Sequence, residues 1–161
     1  MFEPNLELEK ALMFSRFDES HPLSTCSAHP FQLEDHEWPT AEHYYQASKF
    51  GPHAYGLKVA QAVAAREAYK LGNAWFKRKR PDFKKVRLTL MTRALYCKAR
   101  QNPEIAEFLL GTGEQKLAES SLYDPFWGVA RDQRGANHLG RIWMDIRQKL
   151  RSADLNPSEV E

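Results

Sequence analysis

Glycine, proline and asparagine divide this sequence into segments of helical length. The strongest of these signals lie at Gly51-Pro52, Gly72, Asn102-Pro103 and Gly111. Between the signals, apolar residues recur at the spacing of an amphipathic helix. The sequence therefore predicts five helices, over residues 40–50, 55–71, 82–101, 103–111 and 138–151.

Strand patterns are few. Residues 12–17 favour one short strand, and residues 29–39 favour a hairpin in which Phe31 and Leu33 alternate around a turn at Asp35. We therefore expect a mainly α fold, a single-domain orthogonal helical bundle with a small β-hairpin near the N-terminus.

We place that one domain at residues 1–151 and a polar, disordered tail at residues 152–161. Two long loops, 18–30 and 121–136, interrupt the pattern. Loops of that length in a small domain often serve function, so we expect functional residues in or beside them.

The composition is that of a globular protein, with 42% hydrophobic and 27% charged residues among 161. No apolar run is long enough to span a bilayer, and the acidic start lacks the pattern of a secretory signal. Cys26 and Cys97 lie far apart in the sequence, as expected of reduced thiols. We therefore expect a cytoplasmic protein.

Charge is distributed unevenly despite a net charge of +2. Residues 1–42 carry nine acidic groups against two basic ones, whereas residues 77–100 carry ten basic groups against Asp82 alone. The basic run is either a solvated helix face that pairs with the acidic half, or a contact for phosphates or nucleic acid. No aromatic residue is interleaved on the basic face at regular spacing, which argues against stacking on single strands.

One face of the predicted helix 40–50 combines a carboxylate, a phenol, an amide and an amine at helical spacing. These residues are Glu42, Tyr45, Gln46 and Lys49. The other side carries a core stripe of Tyr44, Ala47 and Phe50. The polar face is either exposed to water or one wall of a small-molecule site.

A metal site is not expected. His36-Glu37 lacks the second histidine of a zinc helix, and Pro39 stands where the inverted motif needs histidine. Cys26 near His29 lacks an orienting group for a nucleophile. The sequence also has no phosphate loop or dinucleotide fingerprint, and we expect no cofactor.

A second cluster of polar and aromatic residues follows residue 123. It comprises Asp124, Trp127, Asp132, Arg134 and Asn137. We expect Gly128 and Gly135 to allow positive φ and close approach of the backbone to a ligand. We also expect Asn137 to cap the last helix, whose free N–H groups would face an anion. The alternative is a turn, a buried tryptophan and a helix cap without a ligand.

Four blocks of the sequence resemble, in order, those of the YbiA-like NADAR family. They are EWPTAEHYYQASKF, LMTRALYCKA, FLLGTG…LAESSLYDPFWG and RDQRGANHLGRIWMDIRQKL, and the resemblance covers roughly residues 12–150. It implies a mainly α domain with N-glycosidase chemistry. The bond implied lies between ribose 5-phosphate and the pyrimidine amine of early riboflavin-pathway intermediates. Other branches of the family act on ADP-ribose-type groups, including ADP-ribose on a nucleobase.

The resemblance also implies roles for individual residues. Glu42 matches the catalytic glutamate, and Asp132 is the second catalytic candidate, holding ribose hydroxyls or assisting the water. Among the expected substrate-binding residues, Gln46, Lys49, Trp127, Gly128 and Asn137 match positions of the family's two motifs. To these we add Trp38, Tyr45, Phe83 and Arg134 as candidates of our own. A non-catalytic binder of ribonucleotide metabolites remains a third hypothesis.

The chain departs from the family pattern at four positions. It has Arg16 where asparagine is usual, Asn73 for arginine, Phe83 for tryptophan and Ala130 for glycine. The loop 18–30 also looks longer than usual. These departures bear on which substrate is used more than on the class of reaction.

Overall fold

The computed structural model of the chain describes residues 6–155, and this part of the chain is mainly helical. It contains seven helices and four short strands. They are α1 (Leu6–Glu9), β1 (Leu12–Phe14), β2 (Phe31–Leu33), β3 (His36–Trp38), α2 (Ala41–Ser48), α3 (Ala54–Ala60), α4 (Ala65–Gly72), α5 (Phe83–Gln101), α6 (Pro103–Gly111), β4 (Leu117–Glu119) and α7 (His138–Leu155).

The described residues form two compact units. One comprises residues 6–24 and 103–155, and the other is the continuous segment Thr25–Asn102. The seven helices and four short strands of the described residues confirm the mainly α class. The single domain and its orthogonal packing stay predictions.

The Thr25–Asn102 unit packs α3, α4 and α5 against α2. Its β2–β3 hairpin is the predicted one, with Phe31 opposite Trp38 in an antiparallel ladder. Two hydrogen bonds tie the hairpin to α5. Gln32 N donates to Gln101 Oε1 at 2.7 Å, and Gln101 Nε2 donates to Gln32 O at 2.9 Å.

The other unit contains a strand pair that the sequence did not indicate. Strand β1 runs parallel to β4, with Leu12 opposite Leu117, and α7 packs on β4 and α6. Trp143 of α7 is fully buried and donates from Nε1 to Leu23 O at 2.9 Å. Strand β4 and the short α1 were missed because each is only three or four residues long.

The predicted helix 55–71 is two helices, and the prediction of one helix was wrong. The helical conformation is interrupted between α3 and α4. In this interval His43 Nε2 lies 3.0 Å from Ala62 O, and Val63 N donates to Glu67 Oε2 at 2.8 Å. These contacts satisfy backbone groups outside the helical pattern, so the helix can stop without a glycine or proline.

The last helix continues further than predicted. Residues 152–155, placed in the polar tail, belong to α7, and the rest of that predicted tail, residues 156–161, lies outside the described residues. No helix in residues 6–155 is long and apolar enough to cross a membrane.

One lysine of the basic run is buried inside its own unit. Lys98 of α5 has no exposed surface, and its Nζ donates to Ser27 Oγ at 2.6 Å. Burial disfavours the charged ammonium and lowers the pKa of Lys98 to about 7. The basic run 77–100 is therefore not one solvated face.

Lys98 makes the stability of the fold depend on pH. The unfolded chain keeps this proton up to the ordinary pKa near 10.5, whereas the folded chain releases it above about 7. The unfolded state thus binds more protons between these values, and stability rises with pH. We expect the free energy of unfolding of the wild type, relative to Lys98→Met, to rise from pH 7 by up to about 1.4 kcal/mol per pH unit.

Urea unfolding at neutral and alkaline pH measures this difference. Titration of other groups cancels between the two proteins, since only residue 98 changes. Parallel pH dependence of the two proteins would contradict the prediction.

Candidate active site

Helix α2 is buried along both faces, so the interpretation of its polar face as a water-exposed surface was wrong. Thr40 caps its N-terminus, accepting from His43 N at 3.3 Å. The exposed fractions of Glu42, Gln46 and Lys49 are only 0%, 1% and 4%. Burying a carboxylate and an amine at one short helix is costly, and such buried ionisable groups concentrate at functional sites.

The Glu42 carboxylate is held by two neutral side chains. Thr25 Oγ1 donates to Oε2 at 2.5 Å, and Gln46 Nε2 donates to Oε1 at 2.7 Å. The same segment also fixes the backbone, because Glu42 N donates to Thr25 O at 2.9 Å. The position and orientation of this carboxylate are therefore set by both local and distant residues.

The position of the Gln46 side chain depends on a neighbouring glycine. Since its Nε2 donates to a carboxylate, which only accepts, the amide orientation is fixed. Its Oε1 has no hydrogen-bond partner among the described residues and points at Gly72, where an added Cβ would lie 2.0 Å away. Gly72 at the end of α4 therefore leaves the room that Gln46 needs to reach Glu42.

Lys49 lies between two rings and an amide. Its Nζ is 5.4 Å from the Tyr45 ring centroid and 5.6 Å from that of Phe83, and it donates to Asn73 Oδ1 at 3.1 Å. Tyr45 and Phe83 contact each other at 5.6 Å between centroids. Two of the departures from the family, Asn73 and Phe83, thus surround the same buried amine.

Trp38 belongs to a different part of the same unit. Its Nε1 donates to Leu33 O at 2.9 Å, and its ring meets Tyr44 edge-on at 5.2 Å. It lines a cavity of about 540 Å³ together with Leu57 and Arg93. The contacts described above form two sets, Glu42 with Gln46, and Lys49 with Tyr45 and Phe83, whereas Trp38 contacts Leu33 and Tyr44.

In the other unit, Trp127 is buried and held by its neighbours. Asp124 Oδ1 accepts from Trp127 N at 2.9 Å. The guanidinium carbon of Arg16 lies 5.9 Å from the Trp127 ring centroid, and Arg16 Nη1 is 3.7 Å from Asp124 Oδ2. The departure at residue 16 therefore introduces a buried cation beside the tryptophan of the second cluster.

Glu119 is a buried carboxylate that the sequence analysis did not single out. It is fully buried at the end of β4, where Oε1 accepts from Arg16 N at 3.1 Å and from Ser121 Oγ at 2.8 Å. A Cβ at Gly128 would lie 2.3 Å from Glu119 Oε2. The segment Leu117–Glu119 is too short to show a strand pattern of its own. Glu119 lies within one of the blocks that resemble the family, and this was the one signal in the sequence that could have drawn attention to it.

The glycines of the second cluster act differently from the prediction. Positive φ was expected at Gly128 and Gly135, but neither has it, and that expectation was wrong. Gly128 makes room for Glu119, and a Cβ at Gly135 would lie 2.2 Å from Gly128 O. Both close approaches are to the protein itself.

Asn137 holds the strand β4. Its Oδ1 accepts from Glu119 N at 3.0 Å, and its Nδ2 donates to Leu117 O at 3.0 Å. Only its backbone carbonyl serves α7, accepting from Arg141 N at 3.0 Å. Its side chain is therefore not the predicted helix cap.

Asp132 and Arg134 are exposed in the same loop. Asp132 Oδ1 accepts from Arg134 N at 3.1 Å, which forms a local turn. Their predicted roles in catalysis and phosphate binding, and the substrate contacts of Trp127, Gly128 and Asn137, stay predictions.

The chain is similar over most of its length to proteins that are named as N-glycosidases. N-glycosidase YbiA of Escherichia coli is 31% identical over 137 residues, which are 85% of this chain and 86% of that protein. An N-glycosidase of Nostoc punctiforme is 36% identical over 133 residues, 81% of this chain and 85% of its own. The NMR structure of E. coli YbiA matches with a TM-score of 0.82 at 30% identity, covering 91% of this chain and 88% of that one.

A longer protein also contains a region similar to this chain. A riboflavin biosynthesis protein of Vibrio vulnificus is 35% identical over 144 residues, which are 89% of this chain and 39% of that protein. The NADAR domain matches residues 3–151. The protein is a glycosidase, and the chain belongs to the NADAR domain family.

Ala130, the fourth departure, adopts a φ of 59°, a left-handed conformation that favours glycine. We expect Ala130→Gly to stabilise the protein by about 0.5–1 kcal/mol, since relief of the strain outweighs the greater chain entropy of unfolded glycine. Chemical denaturation measures the effect. Ala136→Gly, at a position without positive φ, is the matched control and should destabilise. Equal effects of the two changes would contradict the explanation.

Proposed function

We propose that this protein hydrolyses the C–N bond between ribose 5-phosphate and the base of early riboflavin-pathway ribosylamino-pyrimidine intermediates, with Glu42 as the key carboxylate. The observation that carries the proposal is the fully buried Glu42, oriented by Thr25 and Gln46. The relative named as a riboflavin biosynthesis protein supports this choice of substrate.

Cleavage of a ribosyl C–N bond places positive charge on the sugar in the transition state. A carboxylate in a dry, preorganised environment stabilises that charge more strongly than one in water. Glu42 also orients the attacking water and accepts its proton, while the water oxygen bonds to the anomeric carbon and the base leaves with the electrons of the C–N bond. Glu42 then returns that proton to the leaving nitrogen, so that the base departs as a neutral amine and the carboxylate is restored.

The proposal has a structural requirement. Glu42 has no exposed surface, so its carboxylate must be uncovered when substrate enters. Its oxygens accept from the side chains of Thr25 and Gln46, and a substrate must displace these donors to reach the carboxylate.

Lys49 and its neighbours supply the groups for the rest of the substrate. The Lys49 ammonium, which donates to Asn73 Oδ1 at 3.1 Å, is assigned to the phosphate, because a positive charge strengthens each hydrogen bond to an anionic oxygen. Tyr45 and Phe83 present aromatic rings beside it, suited to stacking on a pyrimidine.

Removing the carboxylate tests the catalytic role directly. We expect Glu42→Gln to lower kcat about 10²- to 10⁴-fold, the usual contribution of a general base. The assay follows ribose 5-phosphate and free base by mass. Glu37→Gln, a change of the same kind at an exposed position of β3, should leave kcat unchanged. Near wild-type turnover of folded Glu42→Gln would refute the assignment, and ligand binding without base release would favour the non-catalytic hypothesis.

The donor from Thr25 offers a finer test. We expect Thr25→Val to lower kcat more than it changes KM and to move the acid limb of the kcat–pH profile to higher pH, because a hydrogen bond favouring the charged carboxylate is lost. Thr25→Ser keeps the hydroxyl and should restore the wild-type profile. An unchanged profile in Thr25→Val would show that this contact does not tune the reacting group.

A second candidate function is removal of ADP-ribose-type groups, including those on nucleobases. It is favoured by the part of the basic run that stays exposed, where Lys77, Arg78 and Lys79 are open to solvent. Product analysis by mass over both substrate types discriminates the two candidates.

A further inference from the structure

The loop between α4 and α5 exposes two aromatic rings next to a run of cations. Trp75 is 92% exposed and Phe76 is 65% exposed, and their rings meet edge-on at 5.8 Å between centroids. Tryptophan is highly buried on average, so such exposure is unusual. The basic residues Lys77, Arg78 and Lys79 follow directly. Two exposed aromatic residues thus stand immediately before the basic run 77–100.

This loop is held in place rather than loosely attached. Tyr55 Oη donates to Leu71 O at 2.8 Å at its start, and Arg80 N donates to Lys49 O at 2.7 Å near its end. Lys77 Nζ lies 4.6 Å from the Tyr55 ring centroid and 5.6 Å from that of Phe76. The two exposed rings are therefore presented on an anchored support, which lowers the entropic cost of binding.

The charges around the rings have one sign. Asp82, the only acidic residue of the run, is paired with Arg80 through two hydrogen bonds of 2.6 and 2.8 Å. Within residues 6–155, no hydrogen bond or ion pair engages the side chains of Arg78 or Lys79. Both are therefore available to an anionic partner.

A recess lined by the two cations that follow in the same loop decides what kind of anion fits. It has a volume of about 620 Å³ and is lined by His53, Arg78 and Lys79 among others. A sugar and phosphate can enter such a recess while neighbouring bases stack on aromatic rings. A flat bilayer surface cannot enter it, and a duplex keeps the faces of its bases stacked inside.

We propose that Trp75, Phe76 and the basic residues 77–79 form a binding surface for single-stranded nucleic acid. Bases stack on the two rings and phosphates meet the cations, with the recess at His53 taking one sugar-phosphate unit. The surface goes beyond the proposed hydrolysis and does not depend on the role of Glu42.

The test is binding of a fluorescein-labelled oligothymidine of about 15 nucleotides, followed by anisotropy and by quenching of tryptophan fluorescence. We expect Trp75→Ala to weaken binding about 5- to 150-fold, the range for loss of one stacked base. Tyr123→Ala removes another exposed ring, 82% exposed and approached by Arg131 at 5.8 Å, and should bind as the wild type does.

Salt dependence separates stacking from charge. We expect the double variant Arg78→Gln/Lys79→Gln to reduce the slope of log K against log salt by about 1.4, and Trp75→Ala to leave that slope unchanged. Circular dichroism confirms that each variant is folded. The assay contains no substrate, so its failure is distinct from failure of the proposed function.

Three outcomes would overturn the inference. They are wild-type affinity in folded Trp75→Ala, equal or tighter binding of a duplex of the same length, and binding to phosphatidylserine vesicles without binding to the oligonucleotide. The last outcome would assign the surface to anionic membranes.

Discussion

The arrangement of the Thr25–Asn102 unit depends on the burial of one carboxylate. A charge without exposed surface is costly unless hydrogen bonds compensate it, and Glu42 receives them from Thr25 and Gln46. Each donor needs its own support. Gln46 fits because Gly72 has no side chain, and the segment that carries Thr25 is tied to α5 by the contact of Ser27 with Lys98. Residues of four separate segments thus contribute, directly or through a neighbour, to holding the Glu42 side chain.

This dependence explains which parts of the site the sequence predicted. Glu42 and Gln46 are four residues apart on one helix, so helical spacing alone brings them together. Thr25 and Gly72 reach the same carboxylate from distant segments, and no periodic pattern relates them to α2. The break between α3 and α4 was missed for the same reason, because His43 and Glu67 impose it through their own contacts. Local pattern predicted the hairpin and most helices, whereas tertiary contacts decided the rest.

The departures from the family alter charge beside the aromatic groups. Asn73 is neutral where arginine is common, so Lys49 meets a neutral amide at this end of α2, and the positive charge of an arginine is missing there. Arg16 adds a buried cation beside Trp127 in the other unit. Loss of a cation weakens attraction for a phosphate, and gain of one strengthens it. The two residues therefore change the local charge in opposite directions, Asn73 beside Lys49 and Arg16 beside Trp127.

Two buried carboxylates, one in each unit, are held in contrasting ways. Glu119 accepts from two backbone N–H groups, those of Arg16 and Ser121, and also from the Ser121 hydroxyl. The Glu42 carboxylate accepts from the side chains of Thr25 and Gln46, which lie on separate segments of the chain. The backbone donors therefore tie Glu119 to the segments that follow β1 and β4, whereas Glu42, proposed as the reacting carboxylate, joins α2 to the segment at Thr25 through side chains alone among these contacts.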